Sequence, residues 1–179
     1  MLTITIPKIE QYDEVSNEFV YSKEQTLQLE HSLVSLSKWE SKWHKPFLSK
    51  EDKTIDETVD YIKCMTITQN IDPSVYTFVT ADNLRQINKY IESDMTATKF
   101  YNDKTTPNRD IITAEIIYYW MIAMTIPFEC QKWHLNRLLT LINVCNEKNK
   151  PAKKMNKKET MNRNRALNEA RKKSLNTKG

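Results

Sequence analysis

The sequence predicts a mainly α fold of the α+β type: a helical domain with a small N-terminal β-sheet and a basic C-terminal tail able to form a helix. Three observations carry this expectation. Apolar and polar residues alternate at the N-terminus, as on a half-buried strand. From His31 onward the apolar residues recur every three or four positions, as on helices. From Lys148 the chain loses its aromatic, Ile and Val residues and fills with Lys and Arg. The domain is therefore expected over residues 1–147, and the tail over residues 148–179.

At the start, Leu2, Ile4 and Ile6 alternate with Thr3 and Thr5 until Pro7 ends the strand. Glu18–Tyr21 and the alternating stretch Thr26–Glu30 complete an expected β-hairpin. Leu33, Leu36, Trp39 and Trp43 then share one helical face, closed by Pro46. Thr54 and Glu57 have the spacing of a capping box before the stripe Ile55, Val59, Ile62 and Met65. Asp72 followed by Pro73 opens a short turn, and Thr80 or Asp82 starts a helix bearing Leu84, Ile87 and Ile91. Ile111–Phe128 is apolar almost all round and predicts a buried core helix. Beyond Pro127, the residues from Trp133 to Cys145 predict a second helix, packed on the first across a proline elbow. Glu115, two tyrosines and Pro127 argue against a membrane span over 111–128. Lys158–Leu175 has a helical spacing too poor in apolar residues to stand alone.

Composition narrows the chemistry. Among 179 residues there is one glycine, Gly179. Dinucleotide-binding loops, the phosphate loop of nucleotide-binding proteins and the strained nucleophile turn of hydrolases all need interior glycine, so none is expected. Turns are expected to rely on Pro7, Pro46, Pro73, Pro127 and asparagines. The start MLTITIPKIE has neither a basic flank nor a long apolar run, so no secretory leader is expected. Cys64, Cys130 and Cys145 read as reduced thiols. Net charge is +4, but it divides sharply. Residues 148–179 hold 12 basic and 2 acidic side chains, a balance of +10, which leaves 15 basic and 21 acidic, or −6, in residues 1–147.

Few residues suggest chemistry. Cys130 and His134 stand four apart, a spacing that on a helix pairs a thiol with an imidazole or begins a metal site. No second pair joins them, so no metal, cofactor or catalytic residue is assigned and the chain is read as a non-enzyme. Binding is the better expectation. Trp39 and Trp43, at i and i+4, would form an aromatic ridge for a partner, or else pack beneath the sheet. The tail residues Lys153, Lys154, Lys157, Lys158, Arg163, Arg165, Arg171, Lys172 and Lys173 would attract an acidic partner or nucleic acid in a salt-dependent way. The tail has no aromatic residue for base stacking, and self-association into a homo-oligomer is compatible with such a chain.

Whole words of the sequence carry a resemblance. HSLVSLSKWESKWHKPFL (His31–Leu48), DYIKCMTITQNIDPSVY (Asp60–Tyr76), SDMTATKF (Ser93–Phe100), EIIYYWMIAMTIPFECQKWHLNRLLTLINVCN (Glu115–Asn146) and the ending ARKKSLNTKG resemble a family of small proteins from bacteriophages with long, non-contractile tails. The resemblance runs from the TITIP strand to the C-terminus. It implies a product of the virion structural module, associated with the tail assembly chaperones: small, helical, non-enzymatic proteins that keep the tape measure protein soluble while the tail tube forms. It implies a tape measure protein or another tail protein as partner, and the host cytoplasm as location, with the virion as the alternative. No catalytic residue transfers with it. The second reading is a virion structural or accessory protein that binds nucleic acid through the basic tail.

Overall fold

The computed structural model describes residues 1–13, 18–100, 111–150 and 157–177. The fold is mainly helical with an antiparallel N-terminal β-structure, as expected. Met1–Cys145 forms one compact unit and Asn146–Gly179 another.

Strand β1 (Leu2–Ile6) pairs with β4 (Gln25–Leu29), and β2 (Ile9–Asp13) pairs with β3 (Glu18–Ser22). Both ladders keep one register: Leu2 faces Leu29, and Asp13 faces Glu18. They are separated at Pro7, which has no N–H to give the ladder. Ile4, Ile6, Leu27 and Leu29 turn inward while Thr3, Thr5, Thr26 and Gln28 face out, the period-2 pattern read from the sequence. Strand β2 was not foreseen.

Helix α1 (Leu33–Trp43) starts at Ser32, whose hydroxyl accepts from Ser35 N–H in a capping box. It ends at His44 in the left-handed region, φ 53°. Helix α2 (Ile55–Met65) begins with the expected Thr54–Glu57 box. Beyond it, Ile67 N–H donates to Gln28 O at 2.8 Å, tying the exit of α2 to the edge of β4. A 3-10 turn, Pro73–Phe78, is capped by Asp72, and α3 (Ala81–Glu92) is capped by Thr80. Asn83 Nδ2 donates to Thr5 O at 3.2 Å, so the first turn of α3 also holds β1.

Helix α4 (Ala114–Ala123) is followed by a 3-10 turn, Phe128–Lys132, and by α5 (Leu135–Asn149). Here the structure departs from the sequence expectation. The apolar run 111–128 yields only ten helical residues, because Thr125 turns left-handed at φ 55° and Pro127 prevents continuation. Ala114, Ile117 and Met121 are buried on one side, whereas Tyr119 and Ile122 face solvent. α4 packs chiefly on α1 rather than across an elbow on α5.

The first unit holds two apolar clusters. One joins the β1–β4 ladder, Trp39, α2, the Pro73–Phe78 turn and α3. The other joins Leu33 and Leu36 of α1 to α4, Cys130 and α5. Phe47 packs against both. In the second unit, α6 (Lys157–Leu175) is a helix whose described side chains are all exposed. Among the described residues, no helix is long and apolar enough to cross a membrane.

Candidate interaction surfaces

The two tryptophans part company. Trp39 is 1 % exposed, and its indole N–H donates to Glu57 O at 2.8 Å. It belongs to the core, stacked on Trp43 with ring centroids 6.2 Å apart. Trp39 therefore offers no surface to a partner; it lies in the same apolar cluster as the β1–β4 ladder. Trp43 is half-buried, and its indole N–H donates to Asp60 Oδ2 at 3.0 Å.

Trp43 forms one wall of a groove of about 530 Å³, with Val59, Tyr76, Val79 and Leu84 on the others. Lys42, Asp60 and Lys63 also line it. Lys63 lies over the Tyr76 ring, 5.6 Å from its centroid. Lys42 is ion-paired with Asp60. Burial alone would raise the Asp60 pKa, but the bonds from Lys42 and Trp43 outweigh it and hold the carboxyl below its ordinary range. Glu57, on the same helix as Asp60, is held below the usual carboxylate range by the Lys45 ammonium 2.7 Å away, helped by Thr54 N–H.

Glu40 is the residue that the sequence reading missed. It is buried, and its Oε1 accepts from Phe47 N–H at 2.8 Å. Its Oε2 accepts from Ala114 N–H at 2.7 Å. The N-terminus of α4 has no side-chain cap of its own at Thr113. A carboxylate 74 positions away in the chain supplies that acceptor, where the helix dipole also favours negative charge. Spacing in the sequence cannot show a cap of this kind, since it depends on tertiary contact.

A second buried polar group lies at His31 and His134, whose rings are 5.1 Å apart at 64°. His31 Nδ1 shares a 2.6 Å hydrogen bond with the Tyr61 hydroxyl. His134 Nε2 donates to Tyr90 O at 3.0 Å, so the unprotonated Nδ1 faces inward and has no partner among the described residues. Burial, reinforced by the neighbouring His134, draws the His31 pKa down to about 3. Burial also lowers that of His134, against an opposing effect from the Tyr90 carbonyl. Both rings are neutral in the folded protein near neutral pH.

Cys130 and His134, four apart, do not share a helix. Cys130 sits in the 3-10 turn, and His134 lies beyond it in an extended bridge to Ser32. Burial pushes the Cys130 thiol up, away from a reactive thiolate. Among the described residues, no three His, Cys, Asp or Glu side chains converge as a metal site.

Ile55, in the first turn of α2, is 83 % exposed, and α4 exposes two large apolar side chains side by side. Tyr119 is 65 % exposed and Ile122 62 %, and Phe128 in the turn that follows is also exposed. Tyr119 and Ile122 stand at i and i+3, adjacent on the helix surface. In the tail, Lys157, Lys158, Arg163, Arg165, Arg171, Lys172 and Lys173 lie on α6 with exposed side chains; Lys153 and Lys154 lie outside the described residues. No family model, curated protein or solved structure matches the chain.

Proposed function

We propose that this protein is a non-enzymatic assembly factor of phage tail morphogenesis, a chaperone that binds the tape measure protein, or another tail protein, during tail assembly. The outer face of α4 is the observation that carries the binding reading. Tyr119 and Ile122 expose large apolar surface on a helix whose other side is anchored in the core. Apolar surface of this kind costs free energy in water and gains it back against an apolar partner segment. Partly buried Trp43 supplies a second apolar wall, in a groove beside charged pairs. The phage-tail identity rests on the word-level resemblance over His31–Leu48, Asp60–Tyr76 and Glu115–Asn146. A long tape measure protein, kept soluble before the tail tube forms around it, is the kind of client such a face would shield.

Co-expression with the tape measure protein tests this directly. The two proteins should co-purify, and the soluble fraction of the tape measure protein should rise several-fold. An unchanged soluble fraction with no co-purification would count against the chaperone reading. Mass spectrometry of purified virions adds a second check, since a chaperone should be lost from the finished particle.

A further inference from the structure

We propose that α6 binds duplex DNA as a helix laid in the major groove, holding phosphates on both walls and reading no particular sequence. The inference is independent of the chaperone reading and rests on α6 alone.

The first observation is charge. Lys157–Leu175 carries seven basic and two acidic residues, a net +5 from 7 − 2, and its described side chains are all exposed. Arg165 pairs with Glu169 at 3.3 Å on the open surface, a contact that phosphate readily replaces.

The second observation is how that charge is arranged. At about 100° per residue, Lys158, Arg165 and Lys172 fall on one side of the helix and Arg163 on the opposite side. Lys173 and Arg171 lie between them. A helix that docks in a protein groove gathers apolar anchors into one stripe. Met161, Leu167 and Leu175 do not form such a stripe here, and basic residues interrupt them on every side. A helix lying in a groove between two phosphate backbones needs positive charge on opposite sides, and α6 has it.

Size agrees. Nineteen residues span about 28 Å, and a helix about 10–12 Å across fits a major groove about 12 Å wide. The deep, narrow major groove of duplex RNA does not admit a helix. Single strands are held largely by stacking on aromatic side chains, and residues 148–179 contain none. Asn162, Asn164 and Asn168 add neutral hydrogen-bonding groups for phosphate. They also weaken the free helix, so helix content should grow on binding.

The test uses the full-length chain and a fluorescent 20-base-pair duplex in an anisotropy titration. Binding should be measurable at 50 mM salt and weaken about a thousandfold by 200 mM, with a log–log slope near −5. Circular dichroism at 222 nm should show helix gained on adding DNA. Replacing Arg163, Arg165, Arg171, Lys172 and Lys173 with Gln should reduce the slope by about 4. Ala166→Pro leaves every charge in place but breaks the helix, and should weaken binding at least tenfold. Three results would overturn the proposal. One is no duplex binding at 50 mM salt. Another is unchanged affinity in Ala166→Pro, the signature of a flexible polycation. The third is equal affinity for single-stranded DNA, duplex RNA or polyglutamate.

Discussion

Glu40 shows how much one buried side chain can organise. Its two oxygens satisfy the backbone N–H of Phe47 and that of Ala114, so it holds the loop after α1 and the start of α4 together. Removing the carboxylate strands one buried and one partly buried donor, each of which was held by a charge-assisted bond. Glu40→Ala should therefore lower the unfolding free energy by about 2–4 kcal/mol in urea titrations. A loss under 1 kcal/mol would mean that water replaces it. The buried histidines set a pH dependence of definite sign. In the unfolded chain an imidazole takes up its proton near pH 6.5, whereas folded His31 does so only near 3. Below about pH 6.5 the unfolded chain thus binds protons that the folded chain refuses. Stability should be full above that value and fall as the pH drops towards 3, by up to about 1.4 kcal/mol per pH unit for one such imidazole. Urea midpoints at pH 7.5, 6 and 5 should decline in that order, and a flat series would contradict the burial of the two rings. Neither role was legible in the sequence. Glu40 and His134 act through Ala114 and Tyr90, partners 74 and 44 positions away in the chain, which no local pattern shows.

Local elements were far more legible, because caps and periodicity are local. Ile4 and Ile6 alternate, Thr54 and Glu57 form their box, and Asp72 precedes Pro73, each as read. The N-cap at Ser32 and strand β2 were missed, the first because Ser35 stands where Glu or Gln usually completes the box. Turns were the harder matter. Without interior glycine, the chain places His44, Asn70, Met95, Thr125 and Asn176 at positive φ. Asparagine was the expected choice and supplies two of these. Thr125 is the costliest, since a β-branched side chain crowds the left-handed conformation. It ends α4 and so decides where the apolar run stops being helix. Thr125→Gly should relieve that crowding and raise the unfolding free energy by about 0.5–1 kcal/mol, the wider freedom of glycine in the unfolded chain offsetting part of the gain. Thermal unfolding checks it, and a lower melting temperature would show that the threonine side chain makes a contact worth more than its strain.

At the scale of the molecule, the division of labour follows composition. The acidic first unit builds two apolar clusters from strands and helices, and the second unit carries exposed basic charge on α6. The change in composition at Lys148 was plain in the sequence, as was the helical fold class. The apolar run 111–128, expected as a buried core helix, is covered on one side only, because hydropathy counts residues and not the neighbours available to cover them. One side of α4 finds α1, and the other finds solvent. That uncovered side is the centre of the functional account, and it separates binding from folding. The decisive measurement is made on the double variant Tyr119→Ser, Ile122→Ser, with its unfolding free energy in urea and its power to keep the co-expressed tape measure protein soluble measured together. Stability should stay within about 0.5 kcal/mol of the unaltered chain, as for exposed positions generally, while the solubilising effect is lost. Undiminished solubilisation by a stably folded double variant would contradict this reading.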